Sequence, residues 1–119
     1  MKIQVHSDSD PAVVEVSGRI VEGEPADDLE KALRGLIRDK RVQTIVDVSG
    51  VSWFDSTAIG ILISHYVSST KLGGRVLLLK ANDKIKTLLR IVHLYDRFGW
   101  ADDLDEARGW FERSADKHS

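Results

Sequence analysis

Two short runs of branched apolar residues, Val42–Val48 (VQTIVDV) and Arg75–Leu79 (RVLLL), do most to restrict what this chain can become. Each has strand length, and each is apolar enough to be covered on both sides, as strands of a parallel sheet are. Parallel neighbours need a crossover of a dozen or more residues between them. The stretch from Asp55-Ser56-Thr57 to about Lys71 supplies one: it reads as a helix, closed by Leu72-Gly73-Gly74 with glycine C-cap chemistry.

The rest of the chain extends this pattern. Met1–His6 and Ala12–Val16, the latter ending at Ser17-Gly18, read as a hairpin around the turn Asp8-Ser9-Asp10-Pro11. Glu24–Arg38 reads as a helix. Pro25 suits its first turn, Asp27, Asp28 and Glu30 complement the positive end of its dipole, and Leu29, Ala32, Leu33, Leu36 and Ile37 form one apolar stripe. Ser49–Phe54 is expected to be a connection. Asn82-Asp83 caps a third helix to about Val92, Phe98-Gly99-Trp100 is a short edge strand, and Asp102–Arg113 is a fourth helix. The expected order is β-β-α-β-α-β-α-β-α. It implies one α/β domain over residues 1–119: a mixed β-sheet of about four to five strands with about four packed helices, and a frayed tail at 114–119.

Composition excludes several functions. Among 119 residues, 17 Lys+Arg against 19 Asp+Glu leave a formal charge of −2, without the basic excess of a nucleic-acid binder. There is no cysteine, which removes disulfides, thiolate chemistry and Cys-based metal sites and fits a cytoplasmic protein. The beginning MKIQVHSDSD has no apolar core of signal-peptide length, and the longest apolar run, Ala58–Ile63, is far too short to span a bilayer. His6, His65, His93 and His118 lack ligand spacing, so no metal is expected, and nothing in the chain calls for a cofactor. Gly73-Gly74 lacks the spacing of a phosphate loop, and no nucleophile elbow surrounds Ser56. The basic residues Lys80, Lys84, Lys86 and Arg90 read as a solvated helix face, although an anion-binding face is an alternative reading.

The segment richest in chemistry is Asp47–Gly60 (DVSGVSWFDSTAIG). A buried strand runs into a stretch with two aromatics, Trp53 and Phe54, which delivers Asp55-Ser56-Thr57 to the start of an apolar helix. The first-turn N–H groups of that helix lack intrahelical acceptors and can seat an anion. Asp, Ser and Thr are also the preferred N-caps, so spacing alone leaves capping and a functional hydroxyl both open. Further along the helix, Ile59, Leu62, Ile63 and Tyr66 are expected to face the sheet. Ile61, His65, Ser68 and Ser69 fall on another face, open to a partner or to a neighbouring helix.

Asp47-Val48-Ser49 followed by Val51-Ser52-Trp53-Phe54-Asp55-Ser56-Thr57-Ala58-Ile59-Gly60 resembles the signature of STAS domains of the bacterial anti-sigma-factor antagonist type, and the resemblance covers about Val13–Trp100. It implies a STAS-like fold and a regulatory protein rather than an enzyme. Members bind an anti-sigma factor that is itself a serine kinase of the histidine-kinase-like ATPase superfamily, and so release the sigma factor. The kinase phosphorylates the antagonist on the serine after the signature aspartate, and a metal-dependent serine phosphatase reverses this. Carried over by position, the acceptor is Ser56, with Asp55 and Thr57 beside it. The implied partner interface takes in Trp53, Phe54, Ala58, Ile61, His65, Arg19 and Glu22. Partners are proteins, with neither nucleic acid nor membrane, and a monomer or weak dimer is expected.

Two departures from the family pattern stand out. Gly18-Arg19-Ile20-Val21-Glu22 replaces the usual Gly-Glu-Leu-Asp, which bears on partner choice, and Ala58 stands where Gly is commoner. Two other functions compete. One is a STAS subunit held permanently in an ABC-type lipid-trafficking transport complex. The other is a receiver-type phosphoacceptor using Asp47, which would need an acidic pair after the first strand; Asp27 and Asp28 fall on a helix instead.

Overall fold

The computed structural model describes residues 2–116, and the side chains of residues 2–113. The elements are β1 (Lys2–His6), β2 (Ala12–Ile20), α1 (Glu24–Arg38), β3 (Thr44–Phe54), α2 (Ser56–Lys71), β4 (Val76–Leu79), α3 (Asp83–Ile91), a 3-10 turn at Tyr95–Arg97, β5 (Gly99–Ala101) and α4 (Leu104–Asp116). The five strands lie in the order β1-β2-β3-β4-β5, with β1 antiparallel to β2 and every later neighbour parallel. The expected α/β mixed sheet with four helices is therefore the observed one.

This order decides where the helices go. Right-handed crossovers that always step in the same direction must lie on the same face. Accordingly α1, α2 and α3 cover one face, where Leu29, Leu33, Leu36, Ala58, Ile59, Leu62, Ile85 and Leu89 pack on Val14, Val16, Val46, Val48, Val76 and Leu78. Only α4, which follows the last strand, is free to cross to the other face. There Ala107 and Phe111 close over Val13, Ile45, Leu77, Leu79 and Ala101. The two clusters divide the paired stretches Ala12–Val16, Ile45–Val48 and Val76–Leu79 by alternate residues, as the two-residue period of a pleat requires.

Several boundaries differ from the sequence expectation. The backbone of α4 is helical through Asp116; residues 117–119 of the expected tail, His118 included, lie outside the described residues. β2 continues past Ser17-Gly18 to Ile20, and Ser49–Phe54 is strand rather than connection. The reason lies in the register. Glu15 pairs with Asp47 but Ser17 with Gly50, and Gly18 pairs with Val51 but Arg19 with Trp53, so β3 carries an extra residue twice. These bulges convert the inward period from two to three: Val48, Val51 and Phe54 are buried while Ser49, Gly50, Ser52 and Trp53 are exposed. A strand with that spacing does not look like one in sequence.

The first bulge has a local cause. The Asp47 carboxylate accepts from the Ser49 N–H at 3.0 Å, a side-chain turn that folds the extra residue outward. Gly50 then lies against β2 so closely that an added Cβ would stand 2.7 Å from the Ser17 Cβ. Gly50→Ala is expected to destabilise the protein by about 1–3 kcal/mol through overpacking. Gly60→Ala, where an added Cβ meets nothing within 4 Å, is expected to be stabilising by up to about 1 kcal/mol. Urea denaturation of the two variants checks both, and equal midpoints would contradict the close approach.

Candidate functional site

β4 pairs with β3 only over Thr44–Asp47, whereas β2 stays paired as far as Phe54. Beyond Gly50, where the pairing of β1 with β2 also ends at Ser17, β2 and β3 form a two-stranded extension among the described residues, and its tip launches α2. Asp55 makes the joint. Its N–H donates to the Ile20 carbonyl at 3.2 Å, continuing the ladder, and its carbonyl accepts from Ile59 N–H at 3.0 Å, opening the helix. Its carboxylate does two further things: Oδ1 accepts from the Ala58 N–H at 2.9 Å, capping the helix, and Oδ2 accepts from the Glu22 N–H at 2.8 Å. The Ala58 N–H first and the Glu22 N–H second hold the carboxyl below its ordinary value, against a smaller opposing effect of partial burial. Asp55 is thus an ionised cap, and it pins the β2–α1 loop to the start of α2.

Ser56 and Thr57 follow as the first exposed residues of α2. The cap is supplied by Asp55 alone, so the hydroxyls of Ser56 and Thr57 are not spent on closing the helix. Glu22, bonded through its N–H to Asp55, is exposed, as is Arg19, the register partner of Trp53; Trp53 is 36% exposed, and its ring carries the Lys84 ammonium 3.2 Å from its centroid. Lys84 was not among the residues expected at this site. Its signal in sequence was the Asn82 cap, which accepts from Ile85 N–H at 2.9 Å and fixes where α3 begins.

Three expected contact residues are not on the surface. Phe54 (2% exposed) and Ala58 (0%) belong to the core, and His65 (4%) is buried with Ser69. The phase of α2 explains this. Its inward stripe is Ala58, Ile59, Leu62, His65 and Ser69, so two polar residues occupy core positions that Ile63 and Tyr66 were expected to fill; those two are half-buried. Ile61 sits in a groove of about 180 Å³ between α1 and α2, with Leu33 and Ile37 opposite, which is the neighbouring-helix reading of that residue.

His65 is hydrogen-bonded through Nε2 to Thr44 Oγ1 at 3.1 Å, and burial pushes its pKa down to about 4. Among the described residues, no group of three or more His, Asp or Glu is arranged to hold a metal ion, and no helix is long and apolar enough to cross a membrane.

A family model described as STAS domain matches residues 2–107. Among solved structures, an anti-sigma factor antagonist from Mycobacterium paratuberculosis is similar at 25% identity, over 91% of this chain and 91% of that one, with a TM-score of 0.76. The anti-sigma factor antagonist SpoIIAA in its unphosphorylated form matches at 15% identity over 95% of this chain and 98% of that one, with a TM-score of 0.70. The Bacillus cell fate determinant SpoIIAA in the phosphorylated form matches at 14% identity over 99% and 100%, with a TM-score of 0.72. At those lower identities the likeness is one of fold.

Two outcomes follow from the site's geometry. Asp55→Ala is expected to raise the amide exchange rates of Glu22 and Ala58 by about tenfold or more while leaving Val46 and Leu62 unchanged; unchanged rates at Glu22 would show the loop held by something else. For His65 the folded pKa of about 4 lies below the ordinary 6.5, so between these values the unfolded chain binds more protons. Stability is then full above pH 6.5 and falls by about 3 kcal/mol as the pH drops toward 4. Urea titrations at pH 7 and pH 4.5 are expected to show this loss, and His65→Leu is expected to remove most of it.

Proposed function

The chain belongs to the STAS domain family, and from that premise we propose that it is an anti-sigma-factor antagonist of the partner-switching kind. In this reading it binds an anti-sigma factor that is also a serine kinase, and the sigma factor is released. Phosphorylation of Ser56 ends the binding, and a metal-dependent serine phosphatase restores it. The protein acts by binding, in the cytoplasm, and catalyses nothing itself.

The observation that carries this reading is the division of labour at the start of α2. Asp55 does the capping, and Ser56 stands exposed at the first helical position with its hydroxyl unspent. A kinase can reach that hydroxyl without opening the fold. A phosphate there adds about −1.5 to −2 charges at the positive end of a helix, which tolerates them. The adjacent Asp55 carboxylate repels the phosphate and turns it outward, toward any partner docked on the helix start. Desolvating a dianion and opposing the partner's own field then weaken binding while the domain keeps its shape. SpoIIAA, whose fold this chain shares, has been solved in both phosphorylated and unphosphorylated forms.

The test is phosphosite mapping by mass spectrometry after incubation with Mg-ATP and lysate of the source cells, with Ser56→Ala run in parallel. A single phosphate on Ser56, absent from the variant, is the expected result. No phosphate from a kinase-competent lysate, together with a stable stoichiometric complex with an ATP-binding transport subunit, would move the assignment to a constitutive subunit of an ABC-type complex.

A further inference from the structure

We propose that Arg19, Trp53 and Lys84 form a cation–aromatic–cation strip that receives an acidic segment of the partner protein, and that a phosphate on Ser56 competes with that segment for the same two cations. This rests on the reading of the chain as a binding module and names the chemistry of what it binds.

The strip is built by the bulged extension. Arg19 and Trp53 are register partners across β2 and β3, and so are Ile20 and Phe54. Ile20 and Phe54 point into the core, which turns Arg19 and Trp53 together onto the outer face, where both are exposed. From the other side the first turn of α3 lays the Lys84 ammonium 3.2 Å from the centroid of the Trp53 ring. Trp53 thus has Arg19 as its register partner on the sheet and the Lys84 ammonium over its ring.

Among the described residues, no carboxylate lies within 4.0 Å of Arg19 or Lys84, and the ion pairs present are His6–Glu15, Arg34–Glu30 and Arg38–Asp39. The nearby Asp55 carboxylate is committed through both oxygens to backbone N–H groups. Trp53 is the only tryptophan, tyrosine or phenylalanine among the exposed large apolar side chains of the described residues. A tryptophan between an arginine and a lysine is the composition of an interface anchor, and the ammonium over the ring pre-orders it.

The occupant that completes this arrangement carries carboxylates spaced to meet both cations and an apolar side chain to lie on the indole. A long polyanion is disfavoured, because the exposed Glu22 is tied by its N–H to Asp55 at the helix start and the chain is net negative at −2. A short acidic segment of a folded partner avoids that repulsion. Ser56 opens α2 directly after Asp55, whose N–H is bonded to the carbonyl of Ile20, the neighbour of Arg19; under the proposal a phosphate there offers the cations an anion from the chain itself and repels the partner's carboxylates at the same time. Switching then needs no movement of the backbone.

A zero-length carbodiimide, which joins lysine amines to carboxylates, tests this directly. The full-length protein is incubated with lysate of the source cells, coupled, and the joined peptides are mapped by mass spectrometry. The expected product is an amide between Lys84 Nζ and an Asp or Glu of the partner, reduced at least tenfold in Arg19→Glu and in Ser56→Asp. With that partner purified, Lys84→Arg should bind within twofold of the unmodified protein and Lys84→Glu at least tenfold more weakly, each variant retaining its circular dichroism spectrum. Absence of any Lys84 product would overturn the proposal, as would products joining partner lysines to Glu22 or Glu24. Those results would leave an antagonist with a basic partner intact, whereas a Lys84 product from a protein never phosphorylated on Ser56 would keep the strip and remove the kinase switch.

Discussion

Asp55 uses every polar group it has to hold three parts of the chain together. Its N–H ends the β2–β3 ladder, its carbonyl begins α2, and its two carboxylate oxygens take the N–H of Ala58 and of Glu22. Those last two donors are otherwise orphans, one at a helix start and one in a loop. A neutral side chain with a single acceptor could satisfy one but not both. The position of the helix start relative to the β2–α1 loop is therefore fixed by charge-assisted bonds rather than by packing, and the exposed residues on either side inherit that precision.

The platform beneath it depends on irregularity. The bulges of β3 bend the strand and strengthen its local twist, and they let β2 and β3 run on as a pair while Val51 and Phe54 still reach the core. Asp47 turning onto Ser49 and the bare Cα of Gly50 against Ser17 are the two side-chain choices that make the first bulge fit. The signature segment is thus structural in its first half and exposed in its second, which is why its residues do not divide neatly into capping and functional sets by type.

Much of the architecture was legible because its signals are strong and local. The Val42–Val48 and Arg75–Leu79 runs, the stripe of α1, the Asn82 cap and the Leu72-Gly73-Gly74 stop all behave as their residue types require. The extension of β3 was hidden because bulges replace the two-residue period with a period of three, and no single-strand template contains it. The phase of α2 was hidden for a different reason. A histidine and a serine at inward positions look like a polar face until Thr44, distant in sequence, is seen to pair with His65. Lys84 escaped because its role depends on α3 starting beside the tip of β3, which only the topology provides. Local pattern finds elements; contacts between elements find the site.

The same geometry sets what kind of switch this site can support. A helix N-terminus already carries positive potential, so added negative charge there does not threaten the fold, and the ladder and the Asp55 bonds leave little freedom for the helix start to respond by moving. A covalent change at the adjacent serine must then act outward, on whatever meets Arg19, Trp53 and Lys84, rather than inward on the domain. Under the reading proposed here, control lies in which anion the exposed cations face. A rigid domain suits that role better than a flexible one, because a helix start that could yield would let the charge relax away from the interface and blunt the discrimination.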